Sequence, residues 1–377
     1  MRSLVTLLGL AALVLVIGCG GQSEVPVLRV GHVGHDHHSA LYVAGNAGEE
    51  FKELYGIWLK EIRPRELYEL YDGTKRVAEV ELYKAGGGSE MPTMMSQGAF
   101  DIGFGGVAAI EFFVDKGSPL RMIAPLHSKG DMLVVNPGVP AGNWPEFINW
   151  LKARPGQVNV GYKSPVAVAL LIFQRALDHE GISYTGDKGN ASAKVLLVNV
   201  KEEANLNAAL QSGQILAYVS NNPWCAIAES KGFGRAIAEL HNLPPGVFED
   251  HPCCGIAGND SAVARHPEAV AKLLELFAVA SHYIATEPEK TAELVGQWLG
   301  ISPEVILASM ATSGYSMEPD AAFRDGMWVW YEEMVGLGRI TDKLKGVSRA
   351  EFEALSYNFG PLEKALAGAA KRINKQK

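Results

Sequence analysis

The stretch Gly31-His32-Val33-Gly34-His35-Asp36-His37-His38 decides how we expect the chain to fold. It follows the apolar run 27–30, which predicts a β-strand, and it precedes residues 39–44, whose serine start predicts a helix. Four histidines and an aspartate therefore lie on a loop between a first strand and a first helix. In open α/β sheets such loops lie at the carboxyl ends of the strands, where ligands bind. The stretch thus predicts one wall of a ligand cleft.

The order of strand, loop and helix recurs along the chain. We expect a second strand over 77–83, followed by the glycine-rich loop 85–90 and a helix. A second series begins with the strand 158–161, and Ser164 is expected to cap the helix after it. A chain of 377 residues with this pattern predicts two α/β units rather than one.

Composition limits the classes of function. The chain is 47% hydrophobic and 20% charged, as in ordinary soluble globular proteins. Its formal charge of -8, without a basic stripe, argues against nucleic acid as a partner.

The N-terminus predicts export and anchoring. Residues 1–18 combine an early arginine with an apolar run too short to span a bilayer, and we interpret them as a signal peptide. The segment Val16-Ile17-Gly18-Cys19 resembles the bacterial lipoprotein pattern, which implies cleavage before Cys19 and acylation of its thiol. Residues 19–26 would then be a lipidated tether. The mature protein would lie in the periplasm or on the cell surface, anchored to the membrane; a plain secretory signal is the alternative.

Three cysteines remain once Cys19 carries lipid, namely Cys225, Cys253 and Cys254. An odd number of thiols in an oxidising compartment argues against a disulfide framework. Because neighbouring residues on a strand point to opposite faces, we expect only one of Cys253 and Cys254 to face a cleft.

Three segments carry a family resemblance. Residues 94–103 contain Gln-Gly-Ala-Phe-Asp-Ile-Gly, close to the signature Leu-x-x-Gly-x-x-Asp-Ile-Gly, and residues 209–217 repeat it with Leu216-Ala217 where aspartate is common. Residues 265–270 resemble the helix start that follows the return strand. In this order they resemble the solute-binding proteins of ABC importers for sulfonates, nitrate, taurine and thiamine-pyrimidine precursors, over nearly all of the mature chain.

The resemblance implies a two-lobe periplasmic-binding-protein fold of type II. Two doubly wound α/β lobes would be joined by two crossing strands, with hinge closure on a ligand between them. Lobe one would comprise 27–130 and 255–377, and lobe two 131–254. An ABC permease and its ATPase subunits would be the partners of a protein that we expect to be monomeric.

The predicted cleft loops and crossings supply the candidate site. The candidate ligand-binding residues are His32, His37, His38, Ser39, Ser89, His127, Tyr162, Ser164, Asn222, Trp224, His251 and Cys253. The candidates for a metal site, as the alternative, are His32, His35, His37, Cys253 and Cys254, because imidazole and thiolate suit soft transition metals.

We expect a binding protein without turnover, with no catalytic residue and no resident cofactor. The first hypothesis is a small organic solute, anionic or heteroaromatic; the second is a soft transition metal or metal complex. A rival from another class is a pyrimidine synthase of thiamine biosynthesis, since those enzymes resemble the chain at the return strand. They carry a longer cysteine-rich run there, whereas this chain has only Cys253-Cys254.

Overall fold

The computed structural model describes residues 25–86 and 90–376. The predicted signal peptide, Cys19 and Ser89 lie outside the described residues.

Fourteen strands form two sheets within the described part of the chain. The strands are β1 Val27–Val33, β2 Ile57–Arg63, β3 Leu67–Asp72, β4 Lys75–Ala85, β5 Ile102–Gly106, β6 Leu120–Lys129, β7 Asp131–Val135, β8 Val158–Tyr162, β9 Tyr184–Thr185, β10 Val195–Asn199, β11 Ala217–Asn221, β12 Arg235–Glu239, β13 Pro252–Asn259 and β14 Ser313–Tyr315.

Fifteen α-helices connect and cover these strands over the same residues. They are α1 Ser39–Asn46, α2 Gly48–Leu54, α3 Glu90–Ser96, α4 Val107–Asp115, α5 Trp144–Ala153, α6 Val168–His179, α7 Glu203–Gln211, α8 Trp224–Ser230, α9 Asp260–Arg265, α10 Pro267–Thr286, α11 Pro288–Leu299, α12 Pro303–Met310, α13 Ala321–Gly336, α14 Arg349–Ser356 and α15 Gly360–Asn374. Short 3-10 helices cover Asp36–His38 and Leu240–Asn242.

The first sheet has eight strands in the order β14-β6-β13-β5-β1-β4-β3-β2, and the second has six in the order β12-β7-β11-β8-β10-β9. In the first sheet β1 lies parallel to both β4 and β5, as in an open α/β sheet. The carboxyl end of β1, from which the histidine loop continues, therefore lies beside the carboxyl ends of β4 and β5.

The chain passes between the sheets twice. It leaves the first sheet at Gly130, between β6 and β7, and it returns between β12 and β13. Gly130 has φ of +85°, and a Cβ there would lie 2.6 Å from His37 Nε2. Only glycine fits this crossing without moving the histidine.

The helix that begins at Ser39 ends at Asn46, and α2 follows from Gly48, where the Leu59 carbonyl oxygen leaves no room for a Cβ. Residues 63–73 contain the last residue of β2 and all of β3, whose Tyr68 and Leu70 face the core. One local prediction was wrong. Helix α6 begins after Ala167, so Ser164 does not cap it.

The first sheet and its helices enclose most of the hydrophobic core. Among the described residues one helix, α10, is long and apolar enough to cross a membrane, and 78% of that apolar stretch is buried inside the protein. Because this helix packs against α1 and α15, we interpret it as a core helix.

Candidate functional site

The histidine loop after β1 is folded inward. His35, Asp36, His37 and His38 are all buried in the 3-10 turn or just before it. The Ser39 hydroxyl donates to the Asp36 carbonyl oxygen at 2.5 Å. The Val33 N–H donates to His38 Nδ1 at 3.1 Å. His38 and Ser39, both predicted ligand residues, therefore stabilise the loop.

His32 lies apart from the other histidines. Its Nδ1 is 3.3 Å from the Tyr42 hydroxyl, and its ring edge contacts Trp298. Burial, with a smaller contribution from His38, lowers the pKa of His32 to about 3, so that its imidazole is neutral at neutral pH.

Two histidines and two cysteines form a buried group that we call the donor cluster: His37, His127, Cys253 and Cys254. Cys253 Sγ lies 3.6 Å and Cys254 Sγ 3.9 Å from His37 Nδ1. The imidazole centroids of His37 and His127 are 3.9 Å apart. One nitrogen or sulfur from each of the four residues lies within 4.8 Å of the others.

Both cysteines reach the cluster because β13 is irregular. The pairing of β13 with β6 shifts register on each side of Cys254, which lies opposite His127. A β-bulge locally breaks the alternation of side chains. The expectation that only one of Cys253 and Cys254 faces the site was therefore wrong.

A carboxylate links the donor cluster to the second sheet. The Cys253 thiol donates to Asp131 Oδ2 at 3.2 Å, and Asp131 is the first residue of β7. His251 Nε2 lies 3.5 Å from the same oxygen, while His251 Nδ1 is 2.8 Å from the Phe248 carbonyl oxygen. Asp131, His251 and Cys253 thus form a second group of possible metal ligands that shares one sulfur with the first.

The pKa values of the two neighbouring thiols, Cys253 and Cys254, are shifted in opposite directions. Burial opposes charge on Cys254, but the neighbouring Cys253, His127 and His37 outweigh it and hold the pKa of this thiol well below its ordinary value. Burial and the neighbouring Cys254 raise the pKa of Cys253 well above its ordinary value. Burial also opposes charge on His37, yet Cys254 raises the pKa of this imidazole. The site therefore favours one thiolate, the form that binds metals.

A small cavity lies between the donor cluster and the loops of the second sheet, and we call it the inner chamber. Its volume is about 30 Å³, room for about one or two water-sized groups. The first sheet contributes His35, His37, Cys253 and Cys254, and the second contributes Asp131, Lys163, Ser164 and Asn221.

Polar contacts close the inner chamber on the side of the second sheet. The Lys163 ammonium donates to the Glu203 carboxylate and to the Asn221 side-chain oxygen. The Trp224 indole N–H donates to the other Glu203 oxygen at 2.8 Å.

Beyond Trp224 lies a larger space of about 970 Å³, which we call the outer cavity. Its wall includes His32, the aromatic residues Tyr83, Trp224 and Trp298, and the basic residues Arg63, Arg65, Lys84 and Lys231.

Two further predicted site residues, Asn222 and Tyr162, are not grouped with the others. Asn222 uses its amide internally, since its Nδ2 donates to Thr312 Oγ1 at 3.0 Å and its Oδ1 accepts from the Ala226 N–H. Tyr162 is half-buried and lines neither the inner chamber nor the outer cavity. Sequence reasoning missed Asp131 and Lys163 as residues of the site. Lys163 lies between two predicted site residues, Tyr162 and Ser164. This position in the sequence was the signal that could have identified it.

Several buried polar atoms around the donor cluster have no hydrogen-bond partner among the residues that the structure describes. They are His35 Nδ1, Asp36 Oδ1 and the Nε2 atoms of His37, His38 and His127. A buried polar atom without a partner costs about 1–3 kcal/mol. Such a concentration at one place is typical of a binding site rather than of a hydrophobic core.

The architecture is that of the periplasmic binding proteins, as predicted: solved structures of ABC-importer binding proteins share it over most of their length. They include the nitrate-binding protein NrtA of Synechocystis PCC 6803 (TM-score 0.70, 14% identity, 93% of this chain and 91% of that one). A second is the ligand-binding component of an ABC-type import system from Staphylococcus aureus, solved with zinc bound. Its TM-score is 0.68 and its sequence identity 13%, over 90% of this chain and 99% of that one. A third is the alkanesulfonate-binding protein SsuA of Xanthomonas axonopodis pv. citri, bound to MOPS. Its TM-score is 0.63 and its sequence identity 14%, over 88% of this chain and 98% of that one.

Residues 21–300 match the NMT1-like family, and the chain belongs to that family. A curated relative, an uncharacterized protein of Methanocaldococcus jannaschii, is 40% identical over 123 residues, which are 32% of this chain and 85% of that protein.

Proposed function

We propose that this chain is the extracytoplasmic solute-binding lipoprotein of an ABC importer, which captures a small solute between two lobes and delivers it to the permease. The observation that carries the proposal is the inner chamber, because strand ends of both sheets meet there. Ligands of open α/β sheets bind at such ends.

The proposed lobes follow the two sheets. Lobe one comprises 27–130 and 255–377, and lobe two comprises 131–254. Strand β13 starts at Pro252, so Cys253 and Cys254 lie on the first sheet at the edge of this division. The crossings at Gly130 and before β13 would act as the hinge, since a few terminal residues of elements absorb such motions.

A small organic solute, anionic or heteroaromatic, is supported by the outer cavity. Its volume falls within the roughly 300–1,000 Å³ of ordinary ligand pockets. Three aromatic rings offer stacking surfaces. Four basic residues on the wall, Arg63, Arg65, Lys84 and Lys231, outnumber the two acidic ones, Glu66 and Glu81.

A soft transition metal or metal complex is the second candidate solute. The specific observation in its favour is that three members of the donor cluster, His37, Cys253 and Cys254, line the inner chamber. The Staphylococcus aureus binding protein of this fold, solved with zinc bound, supports this candidate.

Attachment through an acylated Cys19 would keep the protein beside the importer, and its partners would be the permease and ATPase subunits. The protein would act as a monomer and would not turn its solute over. Residues 19–26 would serve as the tether between the lipid and β1.

The test begins with protein purified from cell envelopes without denaturant. Denaturation should release a bound solute, which mass spectrometry and elemental analysis would identify as organic or metallic. The refolded empty protein should contract in small-angle X-ray scattering when the released fraction is returned, and its unfolding free energy should rise by roughly 2.7 kcal/mol at a hundredfold excess over Kd. Absence of any released solute, with an unchanged radius, would contradict the proposal.

A further inference from the structure

The distances within the donor cluster match those between ligands of a tetrahedral metal ion. Bond lengths of about 2.3 Å to sulfur and 2.0–2.1 Å to nitrogen place the two kinds of ligand about 3.6 Å apart at tetrahedral angles. The Sγ atoms of Cys253 and Cys254 lie 3.6 and 3.9 Å from His37 Nδ1. All four donor atoms lie within 4.8 Å of one another, so contraction by about 1 Å completes the tetrahedron.

The surroundings orient the donors. His127 Nδ1 lies 3.2 Å from the Ser128 carbonyl oxygen, and a proton donated there leaves the lone pair of Nε2 free. That Nε2 is buried and has no partner in the protein. Asp131 accepts a hydrogen bond from Cys253 and lies beside His251. Carbonyl and carboxylate groups of this kind fix the ligands of metal sites.

The donor cluster borders a second space besides the inner chamber. His127 lines a cavity of about 340 Å³, whose wall includes Asp250, Glu318 and Asp320. Carboxylates at this wall attract cations, although Asp250 is already paired with Lys129 at 2.9 Å.

The chemistry of the donors selects the ion. Two imidazoles and two thiols form an N2S2 set, which suits tetrahedral soft or borderline ions. Calcium and magnesium require oxygen ligands and are disfavoured. All four residues are 4% exposed or less, so the bound ion would be shielded from water.

We infer that His37, His127, Cys253 and Cys254 form a binding site for one tetrahedral transition-metal ion with a filled d shell, zinc(II) or copper(I). The two thiols lose their protons to solvent as the ion binds, and no electron is transferred. The site stands on the geometry of the donor cluster and does not require that the ion be the transported solute.

The test uses the complete mature protein, stripped of metal by chelation under reducing conditions. Zinc(II) and, without oxygen, copper(I) are titrated against chromophoric chelators. We expect one ion per chain, and Cys254→Ser and His127→Gln should each weaken binding by more than the roughly 10–100-fold that loss of an outer partner costs. Asp131→Asn, which alters only an outer partner of Cys253, should weaken metal binding by roughly 10–100-fold.

Cobalt(II) supplies a readout independent of affinity. The wild-type protein should show intense tetrahedral d–d bands with a thiolate charge-transfer band, and Cys253→Ser should weaken the latter. Cys225→Ser and His241→Gln are matched controls, since both residues are buried outside the donor cluster. Variants that fail to fold are recognised by circular dichroism, and the cobalt spectrum of the wild type then decides.

Absence of stoichiometric binding, or a cobalt spectrum without thiolate charge transfer, would overturn the inference. These results are separable from the proposed function. A metal-free protein that still contracts with its own released solute retains the function and loses the metal site. A protein that binds zinc but never contracts retains the site alone.

Discussion

Asn222 Nδ2 donates a hydrogen bond of 3.0 Å to Thr312 Oγ1. Asn222 follows the last residue of β11 in the second sheet, and Thr312 immediately precedes β14 of the first. The bond therefore crosses from one sheet to the other on the border of the proposed cleft. It joins the two sheets without using any group of a solute.

Replacement of Thr312 by valine should weaken the closed form. The substitution also removes the bond that the Thr312 hydroxyl donates to the Ser309 carbonyl oxygen at 2.8 Å, but only the bond from Asn222 joins the two sheets. Loss of that one joining bond costs about 0.5–1.5 kcal/mol, so we expect the affinity for the solute released from the wild-type protein to fall about two- to tenfold. Thr286→Val is the matched control, because the Thr286 hydroxyl also donates to backbone carbonyls but within a single helix. Equal affinity of Thr312→Val and the wild type would show that the bond does not hold the lobes together.

Gly130→Ala should disturb both the backbone and the donor cluster. Alanine at positive φ costs about 1–2 kcal/mol, and its Cβ would meet His37 Nε2. Gly246→Ala is the control, because Gly246 has the same φ of +85° with open space around its Cα. Urea unfolding should show destabilisation of both variants, whereas zinc titration should show weaker binding only for Gly130→Ala. Equal zinc binding by the two variants would refute this steric role.

Glu111 should make stability depend on pH. Burial, partly offset by a hydrogen bond from Ser356, raises the pKa of Glu111 to about 8 from 4.5. Between these values the folded state retains a proton that the unfolded state releases, so this contribution to stability is full below about pH 4.5 and is lost as pH rises through about 8. The pKa difference corresponds to roughly 5 kcal/mol.

Glu111→Gln should therefore flatten the decline in unfolding free energy between about pH 5 and pH 9. The measurement is urea unfolding at several pH values, expressed as the difference between variant and wild type. Glu268→Gln removes an exposed carboxylate and is the control for the change in net charge. A parallel pH dependence in Glu111→Gln and wild type would mean that this carboxyl is not the titrating group.

Cys19→Ser should release the protein from the membrane fraction with its solute binding unchanged, since acyl chains supply the anchor. Cell fractionation followed by immunoblotting measures the distribution. Cys225→Ser, which alters a buried thiol of the folded protein, should stay with the membrane. Sedimentation of Cys19→Ser with membranes would remove the lipoprotein hypothesis.

The sequence alone determined the fold class and the position of the histidine loop. Apolar runs with period two, followed by glycine, serine or proline at helix starts, are local signals that need no partner elsewhere in the chain. They placed His35 to His38 between β1 and α1, where the structure has them. The charged hairpin β2–β3 was missed because β2 does not alternate: three consecutive buried residues are followed by four exposed ones, and only β3 alternates.

Tertiary structure decided which of these residues meet. His37 and Cys253 are separated by 216 positions, and their 3.6 Å approach depends on strand order, on the crossings and on the irregular register of β13. A shift of one residue in register turns a side chain to the other face of a sheet, so sequence spacing could not predict that both cysteines face His37. His32, a candidate for both a solute and a metal, lies beside Tyr42 and Trp298 instead of in the donor cluster.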